Sequence, residues 1–273
     1  MMAGEPILEV RDLRKVYRQG GLLGGKAHAA LAGVSLALKP EDGKVLAIVG
    51  ESGSGKTTLA RILLRLVTAD AGEVSVAGQR IVAPGARTVN NRTLRKLVQP
   101  IFQNPFEAFS LQLPLEEYLT RTAINLGDAA MRANPRPAVE ESLAAVGLSY
   151  AKVAGKGIRA FSGGELQRIS VARALIAKPM LIVADEPVSM VDASLRMTIV
   201  NLFKELSSRL GVAFVYITHD LSTAYYLSDV MAIMRQGELV EFGRPEAILQ
   251  SPRSDYTRAL LDAIPTLDRR WNI

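Results

Sequence analysis

The chain has 273 residues, 48% of them apolar and 22% charged, which is globular composition and excludes disorder as the main state. With 33 Lys and Arg against 27 Asp and Glu, the formal charge is +6 and the pI is near 9.6; this surplus suits a nucleotide phosphate as well as a nucleic acid and selects neither. Cysteine is absent, which excludes disulfides, thiolate metal sites, iron–sulfur clusters and cysteine nucleophiles together and favours a reducing compartment.

The longest unbroken apolar run, Val212 to Ile217, is six residues, far short of the roughly 20 that a spanning helix needs. The opening MMAGEPILEVRDL lacks the basic start and apolar stretch of a secretory signal, so a cytoplasmic location is expected. No internal repeat and no low-complexity tract stands out. In chain order, a strand is expected at Ile7 to Val10. Gly20 to Ala30, with four glycines in its first six residues, reads as an exposed loop. Strands follow at Val34 to Leu38 and Val45 to Val49, then a helix from Lys56 to Leu66.

From Pro100 to Ala160 no strand stands out, and Pro105, Pro114, Pro135 and Pro137 divide helical pieces, chiefly Leu115 to Leu126 and Ala138 to Val146. This reads as a helical insertion. A helix from Gly164 to Ala177 is stopped by Pro179, and one from Ala193 to Leu210 by Gly211. Strands at Leu181 to Ala184, Val212 to Ile217, Val230 to Met234 and Leu239 to Phe242 lead to a tail with a helix from Tyr256 to Ala263. Strands alternating with helices imply a mainly parallel sheet covered on both faces, an α/β fold.

Gly50-Glu51-Ser52-Gly53-Ser54-Gly55-Lys56-Thr57 matches the phosphate-binding loop G-x-x-x-x-G-K-[ST] at every fixed position, and it sits between a buried strand and a helix as that motif demands. Backbone N–H groups converging at a positive helix end bind phosphates, and side chains at Gly53 and Gly55 would block their approach. Lys56 would neutralise the β- and γ-phosphates, and the Thr57 hydroxyl would ligate Mg²⁺. Leu181 to Ala184 is a buried strand that ends in Asp185 and Glu186. Asp185 would hold the Mg²⁺ shell and Glu186 would orient or deprotonate an attacking water. Phe161-Ser162-Gly163-Gly164-Glu165-Leu166-Gln167-Arg168 opens a helix with Ser162 as N-cap.

The phosphate loop, the Phe161 to Arg168 segment and the strand ending in Asp185 and Glu186, in this chain order over about residues 7 to 250, resemble the motifs of the ATP-binding-cassette (ABC) ATPases. The resemblance implies a P-loop NTPase fold: a mainly parallel RecA-like core (about 1–102 and 161–250), an antiparallel β subdomain, an inserted α-helical subdomain (about 103–160) and a short tail (251–273). It also implies a head-to-tail dimer that sandwiches two ATP molecules. Each nucleotide then meets Gly50 through Thr58 of one subunit and Ser162, Gly163 and Gly164 of the other. Tyr17 resembles the aromatic that stacks on adenine. Gln103 resembles the glutamine that reaches Mg²⁺ and the γ-phosphate, Asp192 an acidic residue that communicates across the dimer, and His219 the switch histidine. One departure is Glu165, where the signature usually carries Gln; it is expected to face away from the γ-phosphate.

Phe102-Gln103-Asn104-Pro105-Phe106-Glu107, the stretch Ser189 to Ser194 and the tail Asp255 to Pro265 resemble ATPase subunits of bacterial oligopeptide and dipeptide importers. The segment after Phe109, SLQLPLEEYL, departs from that pattern, as does the lack of cluster-holding cysteines. The implied partners are membrane permeases that dock beside the glutamine loop near Phe106 and Phe109, a second ATPase subunit, like or unlike, and indirectly an extracytoplasmic solute-binding protein. The implied place is the cytoplasmic face of the membrane, with ATP and Mg²⁺ as ligands. A phosphonate-processing assembly and a nucleic-acid-linked ATPase are the alternatives; no basic stripe with interleaved aromatics is present, so nucleic acid is not expected.

Overall fold

The computed structural model describes residues 5–19 and 26–263. Its strands are β1 (Leu8–Gln19), β2 (Lys26–Leu38), β3 (Val45–Val49), β4 (Ala71–Val76), β5 (Gln79–Val82), β6 (Val98–Ile101), β7 (Leu181–Asp185), β8 (Ala213–Thr218), β9 (Val230–Arg235) and β10 (Glu238–Gly243). Its helices are α1 (Lys56–Leu63), α2 (Asn91–Leu97), α3 (Leu115–Leu126), α4 (Ala129–Ala133), α5 (Arg136–Ala145), α6 (Tyr150–Val153), α7 (Gly163–Ile176), α8 (Ala193–Leu210), α9 (Leu221–Leu227), α10 (Pro245–Gln250) and α11 (Asp255–Asp262).

Two sheets organise the chain. One has the order β10-β9-β3-β8-β7-β6 and is parallel except for the β9–β10 hairpin. The other, β2-β1-β4-β5, is antiparallel throughout. In the parallel sheet successive side chains leave opposite faces, and the core divides accordingly. Val45, Ala47 and Val49 of β3 join Phe214 and Tyr216 of β8 in one cluster with residues of α3, α5, α7, α8 and α9. Leu46 and Ile48 join Val215 and Ile217 in a second cluster, against α1 and the antiparallel sheet. Apolar cover on both sides explains why these strands read as continuous apolar runs.

The register aligns the strand ends. Val49 pairs with Thr218, and Asp185 pairs with Ile217, so the carboxyl ends of β3, β8 and β7 stand level and adjacent. That edge is where open α/β sheets place ligand-binding side chains.

Some elements differ from expectation. Ala27 to Ala30, read as loop, lies in β2, where His28 pairs with Tyr17 and Ala29 with Val16; residues 20–25 lie outside the described set. Cross-strand pairing overrides the weak strand propensity of this alanine-rich stretch. α1 ends at Leu63 rather than Leu66, because Arg65 takes a left-handed conformation (φ 54°). β4, β5 and β6 have no expected counterpart, being short and interrupted by Gly72, Arg80 and Pro100. Pro100 is tolerated because β6 is the edge of its sheet. Its carbonyl accepts a hydrogen bond from the Arg173 guanidinium at 2.5 Å, and burial lowers the pKa of that arginine.

Phe203 on α8 is fully buried, with ring centroids of Phe214 and Tyr216 at 5.4 and 6.2 Å. Phe203→Ala should therefore cost ~3–5 kcal/mol of stability, read as a lower urea midpoint with an unchanged slope.

Candidate functional site

The chain leaves β3 at Gly50 and runs through Glu51, Ser52, Gly53, Ser54 and Gly55 into Lys56, the first residue of α1. Gly55, in left-handed conformation (φ 102°), starts α1 without a side-chain cap, which leaves the amides of the first turn to an entering anion. The two loop glycines serve different ends. A Cβ on Gly55 would lie 2.4 Å from Ala30 O, so contact with β2 demands glycine there rather than clearance for phosphate. A Cβ on Gly53 would meet nothing within 4 Å, so its space is open to a ligand.

Lys56 is 5% exposed and folds back beneath the loop. Its Nζ donates to Gly50 O and Glu51 O, both at 2.7 Å, and to Ser54 Oγ at 3.3 Å. Burial lowers the ammonium's pKa, while the charges of Glu186, Asp185 and Glu51 oppose that shift. Thr57 and Thr58 continue the first turn, with Thr57 exposed.

Thr57 Oγ1 donates to Asp185 Oδ1 at 3.5 Å. Burial, with the Glu186 charge beside it, raises the Asp185 pKa. A hydroxyl and a carboxylate side by side are hard oxygen donors, and they fit Mg²⁺, which takes one or two protein ligands and fills its shell with phosphates and water. Among the described residues no group of three or more His, Cys, Asp or Glu could hold a metal alone.

Glu186 has φ 45°, in the left-handed region, a conformation that costs a non-glycine residue on the order of 1–3 kcal/mol. Three bonds hold it: its N–H donates to Ile217 O at 2.9 Å, and its carbonyl accepts from Ser189 Oγ at 2.9 Å and from the Ser189 N–H at 3.2 Å. So fixed, its Oε1 lies 3.2 Å from His219 Nδ1. His219 sits between β8 and α9 on a braced turn. Thr218 Oγ1 accepts the Asp220 N–H at 3.0 Å, and Asp220 caps α9 through the N–H groups of Ser222 and Thr223.

The other expected residues lie around this centre. Tyr17 is 37% exposed on β1, with Lys15 Nζ 5.5 Å from its ring centroid, so it is not a core tyrosine. Gln103 is exposed, just after β6. Phe106 is exposed, whereas Phe109 is buried edge-on against Tyr118 at 5.3 Å, so only the first ring is free to meet a partner. Ser162 caps α7 by accepting the Glu165 N–H at 3.3 Å. A Cβ on Gly164 would meet Leu195 Cδ1 at 3.1 Å, and one on Gly163 would lie 3.8 Å from Met190 O. The signature turn therefore abuts the loop that carries Asp192, which is exposed and makes no side-chain cap bond to α8.

The model of the ABC transporter family matches residues 31–189. Over 96% of this chain and 80% of the relative, the sequence is 37% identical to the di/tripeptide transport ATP-binding protein DppF of Pseudomonas aeruginosa. The chain belongs to the ABC transporter family. The oligopeptide transport ATP-binding protein AppF of Bacillus subtilis is 36% identical over 98% of this chain and 81% of its own length. Among solved structures, the dimeric ATP-binding cassette MJ0796 bound to ADP and Pi has a TM-score of 0.71 at 26% identity, covering 87% of this chain and 98% of that one. Clostridium perfringens cbiO1 shares the fold, with a TM-score of 0.74 at 22% identity, covering 90% of this chain and 92% of its own.

Three positions in this ABC cassette escaped the sequence reading. Asp70 accepts the Val16 N–H at 2.7 Å and pairs with Lys15 at 2.9 Å, which steadies the strand that bears Tyr17. Tyr256 reaches the phosphate loop from α11, where its hydroxyl oxygen accepts the Glu51 N–H at 2.9 Å. Lys152 pairs with Glu165. All three are tertiary contacts across loops, and no local spacing announces them.

Glu165 is thus engaged by neighbours of its own chain: Lys152 and the N–H and hydroxyl of Ser162 all bond its carboxylate. The Lys152 bond first, then that from the Ser162 N–H, lowers its pKa from 4.5 to about 2. A depressed carboxyl contributes stability that is present above 4.5 and lost as pH falls through about 2. Thermal melts of wild type and Glu165→Gln should accordingly differ by a constant amount above about pH 5, ~0–1 kcal/mol for a solvated pair, and converge in acid.

Proposed function

We propose that this chain hydrolyses MgATP to drive uptake of short peptides or related solutes through membrane permeases. The observation that carries the hydrolytic reading is the Glu186 carboxylate, held in a strained backbone position 3.2 Å from His219 Nδ1 at the same strand edge as the loop over Lys56. The peptide reading is supported by the names of the P. aeruginosa and B. subtilis relatives.

In this reading the loop from Gly50 to Thr58 binds the triphosphate through backbone N–H groups, and Lys56 turns its ammonium from the loop carbonyls toward the β- and γ-phosphates. Thr57, Asp185 and Gln103 would hold Mg²⁺, which when bound would offset phosphate charge. Glu186 accepts a proton from water as the water oxygen bonds the γ-phosphorus. The bond from that phosphorus to the bridging oxygen breaks, and ADP leaves with the electron pair. His219 orients the Glu186 carboxylate and touches the γ-phosphate. Tyr17 stacks on adenine.

Ser162, Gly163, Gly164 and Asp192 act on the nucleotide of a partner copy or a sister ATPase, so ATP draws two cassettes together and hydrolysis parts them. The helical unit over about 103–160, with exposed Phe106, transmits the closure to permeases at the cytoplasmic face of the membrane. A solute-binding protein on the far side delivers the cargo. No helix among the described residues is long and apolar enough to cross a membrane, so the permeases provide the path.

Glu186→Gln is expected to bind MgATP with near wild-type affinity and to lose on the order of 10²- to 10⁴-fold in turnover, while Lys56→Ala loses most of the binding itself. Phosphate release and calorimetry on the purified chain separate the two, and wild-type turnover in Glu186→Gln would remove that residue from water activation. Uptake of labelled di- and tripeptides should fall in a deletion strain; unchanged uptake would exclude peptides as the cargo.

A further inference from the structure

The tail helix α11 takes no part in the scheme above, yet its first turn is fastened to the nucleotide edge. Ser254 caps it by accepting the Thr257 N–H at 3.0 Å, and the Ser254 N–H donates to Glu241 Oε1 of β10 at 2.6 Å. Glu241 is 8% exposed and Thr257 is fully buried, so this anchor is packed rather than solvated. The Arg235 guanidinium, at the end of β9, lies 4.9 Å from the centroid of the Tyr256 ring and fixes its direction. From that position the Tyr256 hydroxyl oxygen accepts the Glu51 N–H at 2.9 Å, a contact spanning 205 residues of sequence.

That N–H belongs to the peptide group joining Gly50 to Glu51. The carbonyl of the same peptide is Gly50 O, which accepts from Lys56 Nζ at 2.7 Å. One peptide plane is therefore held at both ends, by the tail on its donor side and by the phosphate-loop lysine on its acceptor side. Gly50 has no Cβ to brace that plane, so the two hydrogen bonds contribute to its orientation. Without the tyrosine oxygen the donor end of the peptide loses its restraint, and Lys56 has a less firmly fixed acceptor next to the place where phosphate binds.

We propose that Tyr256 is a positioning residue of the phosphate loop, orienting the Gly50–Glu51 peptide and through it Lys56, so that the tail sets nucleotide affinity. The proposal rests on the reading of this loop as the nucleotide grip. Tyr256→Phe tests it in the full-length chain, because it deletes one oxygen and leaves the ring against Arg235. MgADP and MgATP binding by calorimetry should weaken about 3- to 10-fold, the effect of one lost hydrogen bond, with the melting temperature close to wild type. Exchange of the Glu51 amide proton should accelerate while amides of β3 keep their protection. Wild-type nucleotide affinity in Tyr256→Phe would overturn the proposal, as would a lowered melting temperature with unaltered affinity, which marks a merely structural contact. Failure of the wild-type chain itself to bind either nucleotide would overturn the grip reading, a result distinct from the other two.

Discussion

A buried ammonium group is the point around which the nucleotide edge is built. Lys56 is nearly solvent-free, and three oxygens of its own loop compensate its lost hydration. The loop is thus wrapped around a cation before any anion arrives. The acids arrayed opposite it, Glu186 and Asp185, are close enough to oppose the effect of burial on its pKa. Positive charge, uncapped helix amides and a paired hydroxyl and carboxylate converge because three adjacent strands, β3, β8 and β7, end in register. If the β3–β8 register slipped by one residue, the side chains of β3 would exchange faces and the loop would lose its alignment with His219.

Much of this was legible because the chemistry lies in contiguous, fixed spacings. The bounds of β3, α3 and α8 coincide with expectation, since each is a strongly apolar or strongly periodic run closed by glycine or proline. The phosphate loop, Asp185, Glu186 and His219 emerge from strand ends that the apolar pattern already marked. Outside those runs the pattern fails for physical reasons. β4 forms because β1 offers it a partner, and β5 because β4 does, not because AGEVSV or QRIV alternates clearly. Helices such as α4 and α6, of five and four residues, span about one turn and leave no periodic trace. The Tyr256–Glu51 bond, closing 205 residues, has no local signature. Nor has the left-handed backbone of Glu186, which follows from its bonds to Ile217 and Ser189.

The signature turn shows how one substitution is absorbed locally. An acid in place of the usual glutamine adds charge at a helix start, where the dipole welcomes it and where Glu165 completes a capping box with Ser162. Lys152 then balances the charge from α6. Because the Ser162 turn abuts the loop bearing Asp192, the two exposed groups form one patch.

Pro100 and Arg173 have a consequence for how the molecule avoids its own kind. In a parallel strand the amide and carbonyl of one residue point the same way. The Pro100 carbonyl turns from β7 to the Arg173 guanidinium, so the missing proline amide also faces outward. An intruding strand approaching that rim would find no donor there and an acceptor already taken. The sheet is closed to growth on that side without a further strand to cover it, a safeguard against fibrous stacking built from one ring and one buried cation.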